Sequence, residues 1–169
     1  GNLLKEISPD RGTLSYAHDP AGNLTQQTDA RGIVAAYAYD ALNRLTRIDY
    51  PGTSEDIAYT YDSGTACTFG LGRLCTLVDE SGTTTYGYDA FGNLLTQIHT
   101  ELNVAYTTRY THDAGNRITS ITTPDNRTVS YQRDVLGRIA SVTTMVNGTA
   151  TTIASGRSFR PDGLLTSQS

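Results

Sequence analysis

Tryptophan is absent from this 169-residue chain, methionine occurs once and phenylalanine three times. The length suits one domain with a sizeable core, but that core has few of the usual large anchors to build from. Charged residues make up 18%, less than the usual quarter, so the surface must lean on Thr, Ser, Asn and Gln. A basic excess is also missing. The net charge of −4 and pI near 5.2 argue against a nucleic-acid partner, which would want a basic stripe. No apolar run approaches the ~18 residues of a helical membrane span, and no basic amphipathic stretch suits a membrane surface. The opening residues "GNLLKEISPD" lack the apolar stretch of a signal peptide. Cysteine appears only as Cys67 and Cys75, which leaves the redox compartment open.

The motifs of site chemistry are missing as well. There is no G-x-S-x-G, P-loop or H-E-x-x-H. "FGLGR" has two glycines but not the third, nor the strand–helix setting of a dinucleotide site. No D-x-D-x-D-G or G-G-x-G-x-D calcium pattern occurs, and His18, His99 and His112 lack zinc-ligand spacing. No catalytic residue, cofactor or metal site is expected.

What is present is tyrosine (11), glycine (16) and abundant threonine, arranged in a repeat. Tyr16-Ala-His18-Asp19 leads to Gly22-Asn23-Leu24, and Tyr37-Ala-Tyr39-Asp40 leads to Asn43-Arg44-Leu45. Tyr59-Thr-Tyr61-Asp62 opens a third copy but reaches Gly72-Arg73-Leu74 only after seven extra residues. The fourth runs from Tyr86 and Tyr88 through Asp89 to Gly92-Asn93-Leu94. The fifth and sixth run from Tyr110 through Asp113 to Asn116, and from Tyr131 through Asp134 to Gly137. The tail "SFRPDGLLTSQS" reads as a degenerate copy centred on Gly163-Leu164, and Gly1-Asn2-Leu3 as the end of another. From Gly1 to Gly163 the turn residues are spaced 21, 21, 29, 20, 24, 21 and 26 apart.

Three positions after the aspartate stand only Gly22, Asn43, Gly92, Asn116 and Gly137 in the undisturbed copies. Gly and Asn tolerate positive φ, and Asp bonds the backbone ahead of it. D-x-x-G/N therefore reads as a type I turn closed by a left-handed residue, a common hairpin connection. A second turn falls midway in most copies, at Asp29–Gly32, Asp79–Gly82, Pro124–Asn126 and Asn147-Gly148. Each period thus holds two turns and two strands of about six residues. Tyr37 and Tyr39 share a face, because strand side chains alternate. Leu45 and Ile48, Ile118 and Ile121, and Ile139 and Val142 break that alternation at i, i+3. Either a bulge or burial on both faces would account for it. The Ala-rich stretch 30–45 would suit a helix, but the matching "TTTYGYD" and "RTVSYQRD" do not. The chain is expected to be all-β: one continuous antiparallel hairpin strip of about seven copies, some 14 strands, too many for a flat open sheet.

The tyrosines have two readings, a stacking ladder for sugar rings or the packing of hairpin on hairpin, and packing is the expectation. The aspartates are expected to serve their turns rather than acid–base chemistry. His18 and His112 stand where other copies have tyrosine. Cys67, in the insert, and Cys75, on the strand leaving it, are either disulfide-bonded or two small buried apolar groups. The disulfide is expected, because both fall at the one irregular copy. Sequons at Asn23, Asn126 and Asn147 do not exceed chance in so Thr-rich a chain.

With Tyr-x-Tyr-Asp-x-x-Gly-Asn/Arg-Leu established, the chain resembles the YD-repeat, or Rhs-repeat, family over essentially residues 1–169. That resemblance implies a strip spiralling into a hollow shell or barrel. In bacterial Rhs proteins and insecticidal toxin complexes such a shell encloses a C-terminal toxic effector, and teneurin ectodomains use a similar one at cell contacts. It implies a non-enzymatic, secreted or cell-surface bacterial segment whose partners are an enclosed polypeptide and, through open sheet edges, flanking repeats or another copy. The alternative is an extracellular module that binds carbohydrate or a cell-surface receptor. The family's DPxGL closing signature is not matched: Pro161-Asp162-Gly163-Leu164 has the first two residues reversed, so no protease residues are assigned. Because it starts and stops within copies, the chain is expected to be a segment of a larger shell.

Overall fold

The computed structural model describes residues 1–52, 54–160 and 164–167. It has no helix among them. The strands are β1 (Lys5–Ser8), β2 (Gly12–His18), β3 (Leu24–Thr28), β4 (Val34–Tyr39), β5 (Leu45–Asp49) and β6 (Ile57–Tyr61). They continue as β7 (Leu74–Asp79), β8 (Gly82–Tyr88), β9 (Leu94–Glu101), β10 (Val104–His112) and β11 (Ile118–Thr122). Last come β12 (Thr128–Arg133), β13 (Ile139–Val146), β14 (Thr149–Ala154), β15 (Ser158–Phe159) and β16 (Leu165–Ser167). β1 to β14 form one 14-stranded antiparallel sheet in strict sequence order, and β15 and β16 form a separate pair. The sheet is open, with β1 and β14 at its edges.

A meander places alternate turns on opposite rims. The D-x-x-G/N turns join β2 to β3, β4 to β5, β6 to β7, β8 to β9, β10 to β11 and β12 to β13, so all lie along one rim. The mid-period turns make up the other. In the tail, Phe159 pairs with Leu165 as Tyr39 pairs with Leu45, and Arg160 N–H bonds Leu164 O at 2.9 Å. The degenerate copy is therefore a hairpin, although Pro161, Asp162 and Gly163 lie outside the described residues.

Each copy carries a bulge at the same place. Tyr39 pairs with Leu45 but Ala38 with Arg47, which leaves Thr46 extra. The extra residue is Thr25 in the first copy, Cys75 in the third, Leu95 in the fourth, Thr119 in the fifth and Ala140 in the sixth. The bulge accounts for the i, i+3 spacing of Leu45 and Ile48, Ile118 and Ile121, and Ile139 and Val142. It also strengthens local twist in every copy.

The sheet is one layer thick. Tyr16, His18, Tyr37, Tyr39, Tyr59 and Tyr61 are half-buried, while Ser15, Ala17, Ala36, Ala38 and Thr60 between them are exposed. The face with the tyrosines is therefore the more covered one in these copies, and the face with Ser15, Ala17, Ala36, Ala38 and Thr60 the more open. Among the described residues the only buried hydrophobic or polar side chains are Leu14, Ala35, Cys75, Thr84 and Ala154, and of these Cys75 alone is fully enclosed. Apolar burial comes from cross-strand neighbours such as Tyr37 against Ile48 and Tyr59 against Leu77, not from a second layer.

Candidate functional site

The rim of D-x-x-G/N turns concentrates the polar chemistry of the molecule. Asp19 N–H donates to Asn23 O at 2.9 Å and Gly22 N–H to Asp19 O at 3.0 Å, and the same pair of bonds recurs from Asp40, Asp89, Asp113 and Asp134. This is a three-residue hairpin loop: a type I turn closed by a left-handed residue. Gly22, Gly92 and Gly137 have φ of 91°, 89° and 82°, and Asn43 and Asn116 both 60°.

The aspartate side chain completes the turn. Asp89 Oδ1 accepts from the N–H groups of Phe91 and Asn93 at 2.9 Å each, and its Oδ2 accepts from Asn93 Nδ2 at 2.8 Å. Asp40 does the same with Leu42 N, Arg44 N and Arg44 Nε, as do Asp113 with Gly115 and Arg117 and Asp134 with Leu136 and Arg138. These donors favour the ionised form. The Asn23 and Asn93 side chains hold the carboxyls of Asp19 and Asp89 below the usual range, and backbone N–H groups of Arg44 and Arg117 do so for Asp40 and Asp113. A carboxylate so occupied is a structural acceptor, not a general base.

Asp62 is the exception, and the insert explains it. Its strand partners keep their register, with Tyr61 opposite Leu74 and Asp62 N–H bonded to Arg73 O at 3.0 Å. Arg73, however, donates to Phe69 O and Leu71 O instead of to the aspartate. Arg44 of the preceding copy takes Asp62 in its place, Nη1 and Nη2 meeting the two oxygens at 3.1 and 2.6 Å. The Arg44 guanidinium, then Gly72 N–H, lower the Asp62 pKa to about 2.

Neighbouring copies interlock along this rim. Arg44 lies 4.4 Å from the Tyr61 ring centroid, Arg73 5.6 Å from that of Tyr88, and Arg138 4.4 Å from that of Phe159. Tyr61 Oη donates to Leu45 O at 2.9 Å and Tyr88 Oη to Leu74 O at 2.7 Å, each reaching back to the bulge of the preceding copy. Arg133, in the tyrosine slot of the sixth copy, reaches Ile118 O at 3.2 Å. His18 and His112 occupy that slot with buried Nδ1 atoms that have no hydrogen-bond partner. Burial raises the phenol pKa of Tyr37, Tyr61, Tyr86 and Tyr88.

The sequence reading placed the tyrosines and aspartates but missed the residue four after each aspartate. Asn23, Arg44, Asn93, Arg117 and Arg138 each donate to the aspartate of their own turn. Their signal was the restriction of that position to Asn or Arg. Also unread was Thr68 in the insert: Tyr88 N–H donates to Thr68 O at 3.1 Å, and Thr68 Oγ1 donates to Tyr88 O at 2.7 Å. Cys67 and Cys75 are joined as a disulfide with Cα atoms 5.2 Å apart, and Cys75 is fully buried. No group of three or more metal-ligating side chains occurs among the described residues.

A family model described as RHS Repeat matches residues 1–34, 18–55, 70–105 and 112–158. Among solved structures, the crystal structure of TcdB2-TccC3 superimposes with a TM-score of 0.87 at 18% identity, over 99% of this chain and 10% of that one. The form of TcdB2-TccC3 without its hypervariable C-terminal region gives a TM-score of 0.86 at 18% identity, over 99% of this chain and 9% of that one. A Photorhabdus luminescens Tc holotoxin pore gives 0.82 at 19% identity, again over 99% and 9%. The chain spans about a tenth of those structures' length. No curated protein matches by sequence.

Proposed function

From the premise that this chain belongs to the RHS-repeat family, we propose that it is a non-catalytic segment of a shell wall that keeps an enclosed polypeptide from the outside. The observation that carries this reading is the one-layer strip in which Asp19, Asp40, Asp62, Asp89, Asp113 and Asp134 are taken up by their own turns or by a neighbouring arginine. Such a strip has two open faces, and among the described residues each D-x-x-G/N aspartate is already occupied as an acceptor. Its strand pairing is unbroken from β1 to β14, as a wall between two compartments requires. Cargo is the expected partner, in a secreted or cell-surface bacterial protein, with flanking repeats or another copy as partners of the open sheet edges.

Limited proteolysis of the full-length parent tests the proposal. A segment following the repeats that survives until the shell is denatured supports enclosure. Digestion of that segment at once, while the repeats persist, overturns it and turns attention to glycans and cell-surface partners on the tyrosine face.

A further inference from the structure

Along the D-x-x-G/N rim, the residue that follows the left-handed turn residue reaches the left-handed residue of the next copy in four pairs, and in those the two are matched in kind. Asn23 Nδ2 donates to Asn43 Oδ1 at 2.8 Å, and Asn93 Nδ2 donates to Asn116 Oδ1 at 2.8 Å. Where the first residue is Arg the second is Gly, and the guanidinium lies in the space a side chain would need. A Cβ built on Gly92 would collide with the Arg73 guanidinium, and one built on Gly137 would collide with Arg117 Nη1. Arg44 faces a copy that also carries glycine, Gly72, but is drawn aside to Asp62 by the insert. The one mixed pair is Asn2 with Gly22, at the start of the strip, where a Cβ would stand 3.6 Å from Asn2 Nδ2 with room to spare.

We propose that this pair is a matching rule by which each copy selects its neighbour: asparagine takes asparagine, and arginine takes glycine. The physical basis is length. The Asn amide is short and needs a second amide reaching toward it, whereas the guanidinium is long and needs the turn residue to have no side chain. A strip of near-identical copies is exposed to slipped pairing, and the rule opposes it. With one copy looped out, Asn23 would face Gly72, Arg73 would face Asn116, and Asn93 would face Gly137, all mismatched. Asn2 facing Asn43, Arg44 facing Gly92 and Arg117 facing Gly163 would be matched, so half of the six slipped pairs violate the rule. The rim therefore recognises a neighbouring turn of the right kind, and this selection does not depend on what the shell encloses.

A double-mutant cycle in the 169-residue chain tests the rule. Gly137→Asn sets Asn against Arg117. Its backbone is not the obstacle, since Asn43 and Asn116 hold φ of 60° at the same turn position. The melting temperature should fall by about 2–4 °C or more. Arg117→Asn with Gly137→Asn recreates the Asn93–Asn116 arrangement and should be more stable than the two single losses added together. Gly22→Asn, which meets Asn2, should hold or raise the melting temperature. Equal losses from Gly137→Asn and Gly22→Asn, or strict additivity in the cycle, would overturn the rule. Gly22→Asn keeps the test decisive even if Gly137→Asn fails to fold.

Discussion

At the scale of single residues, Gly92 has two reasons to be glycine. Its φ of 89° lies where a β-branched residue is strained, and Arg73 fills the space beside it. Gly92→Val should cost about 1–3 kcal/mol from backbone strain alone, with the collision added. Thermal unfolding that leaves the melting temperature unchanged would contradict this. The aspartates predict an acid limit. Their folded pKa values lie below the ordinary 3.8, with Asp62 at about 2. Groups held low in the folded state stabilise it above the unfolded pKa and lose that contribution as pH falls through the folded value. Stability should therefore be flat from pH 7 to about 5 and decline between about pH 4 and 2. Asp62→Asn should flatten the lowest part of that decline, as read by urea midpoints across the range. The left-handed turn position was legible because only Gly and Asn occupied it. The role of the following Asn or Arg was not, since its partner lies in another copy some twenty residues away.

At the scale of elements, the bulge is the lesson. The i, i+3 spacing after each turn signalled a departure from alternation but fitted two causes, and pairing partners alone separate them. The bulge turns out to have a use, since Leu45 O and Leu74 O beside it receive the hydroxyls of Tyr61 and Tyr88. The insert is a second such case. Its length and two cysteines marked it as irregular, yet nothing in the sequence said that Thr68 would line up beside Tyr88. Closing a ring with a sequence separation of 8 should contribute about 2–3 kcal/mol. Replacing both cysteines with serine should lower stability by about that amount and speed hydrogen exchange at the Tyr88 amide. If exchange at Tyr88 is unchanged, the disulfide is not what holds the loop there.

At the scale of the whole molecule, a one-layer sheet with two unpaired edges is exposed to strand addition. The 169-residue chain should associate in a concentration-dependent way through β1 or β14, as followed by sedimentation. Thr152→Lys, an exposed position on β14, should weaken the association several-fold by setting a charge on that edge. A monomer at every concentration would show that the edges are protected in some other way. The near-absence of enclosed side chains also explains the composition. Tryptophan and methionine have little place where there is no interior, whereas tyrosine, half-buried with its hydroxyl on a neighbour's carbonyl, suits a surface covered on one side only by adjacent strands.

Local pattern was enough for the all-β class, the number of copies, the position and hand of their turns and the shared face of Tyr37 and Tyr39. Each of these follows from local sterics or from the two-residue period of a strand, which need no distant partner. Strand pairing in three dimensions was needed to see that the third copy keeps its register across the insert, that the bulges recur and that the turns stack into an interlocked rim. Those features depend on which side chain of one copy meets which backbone group of the next. A repeat displays its own pattern many times over, but the contact between repeats is written half in each.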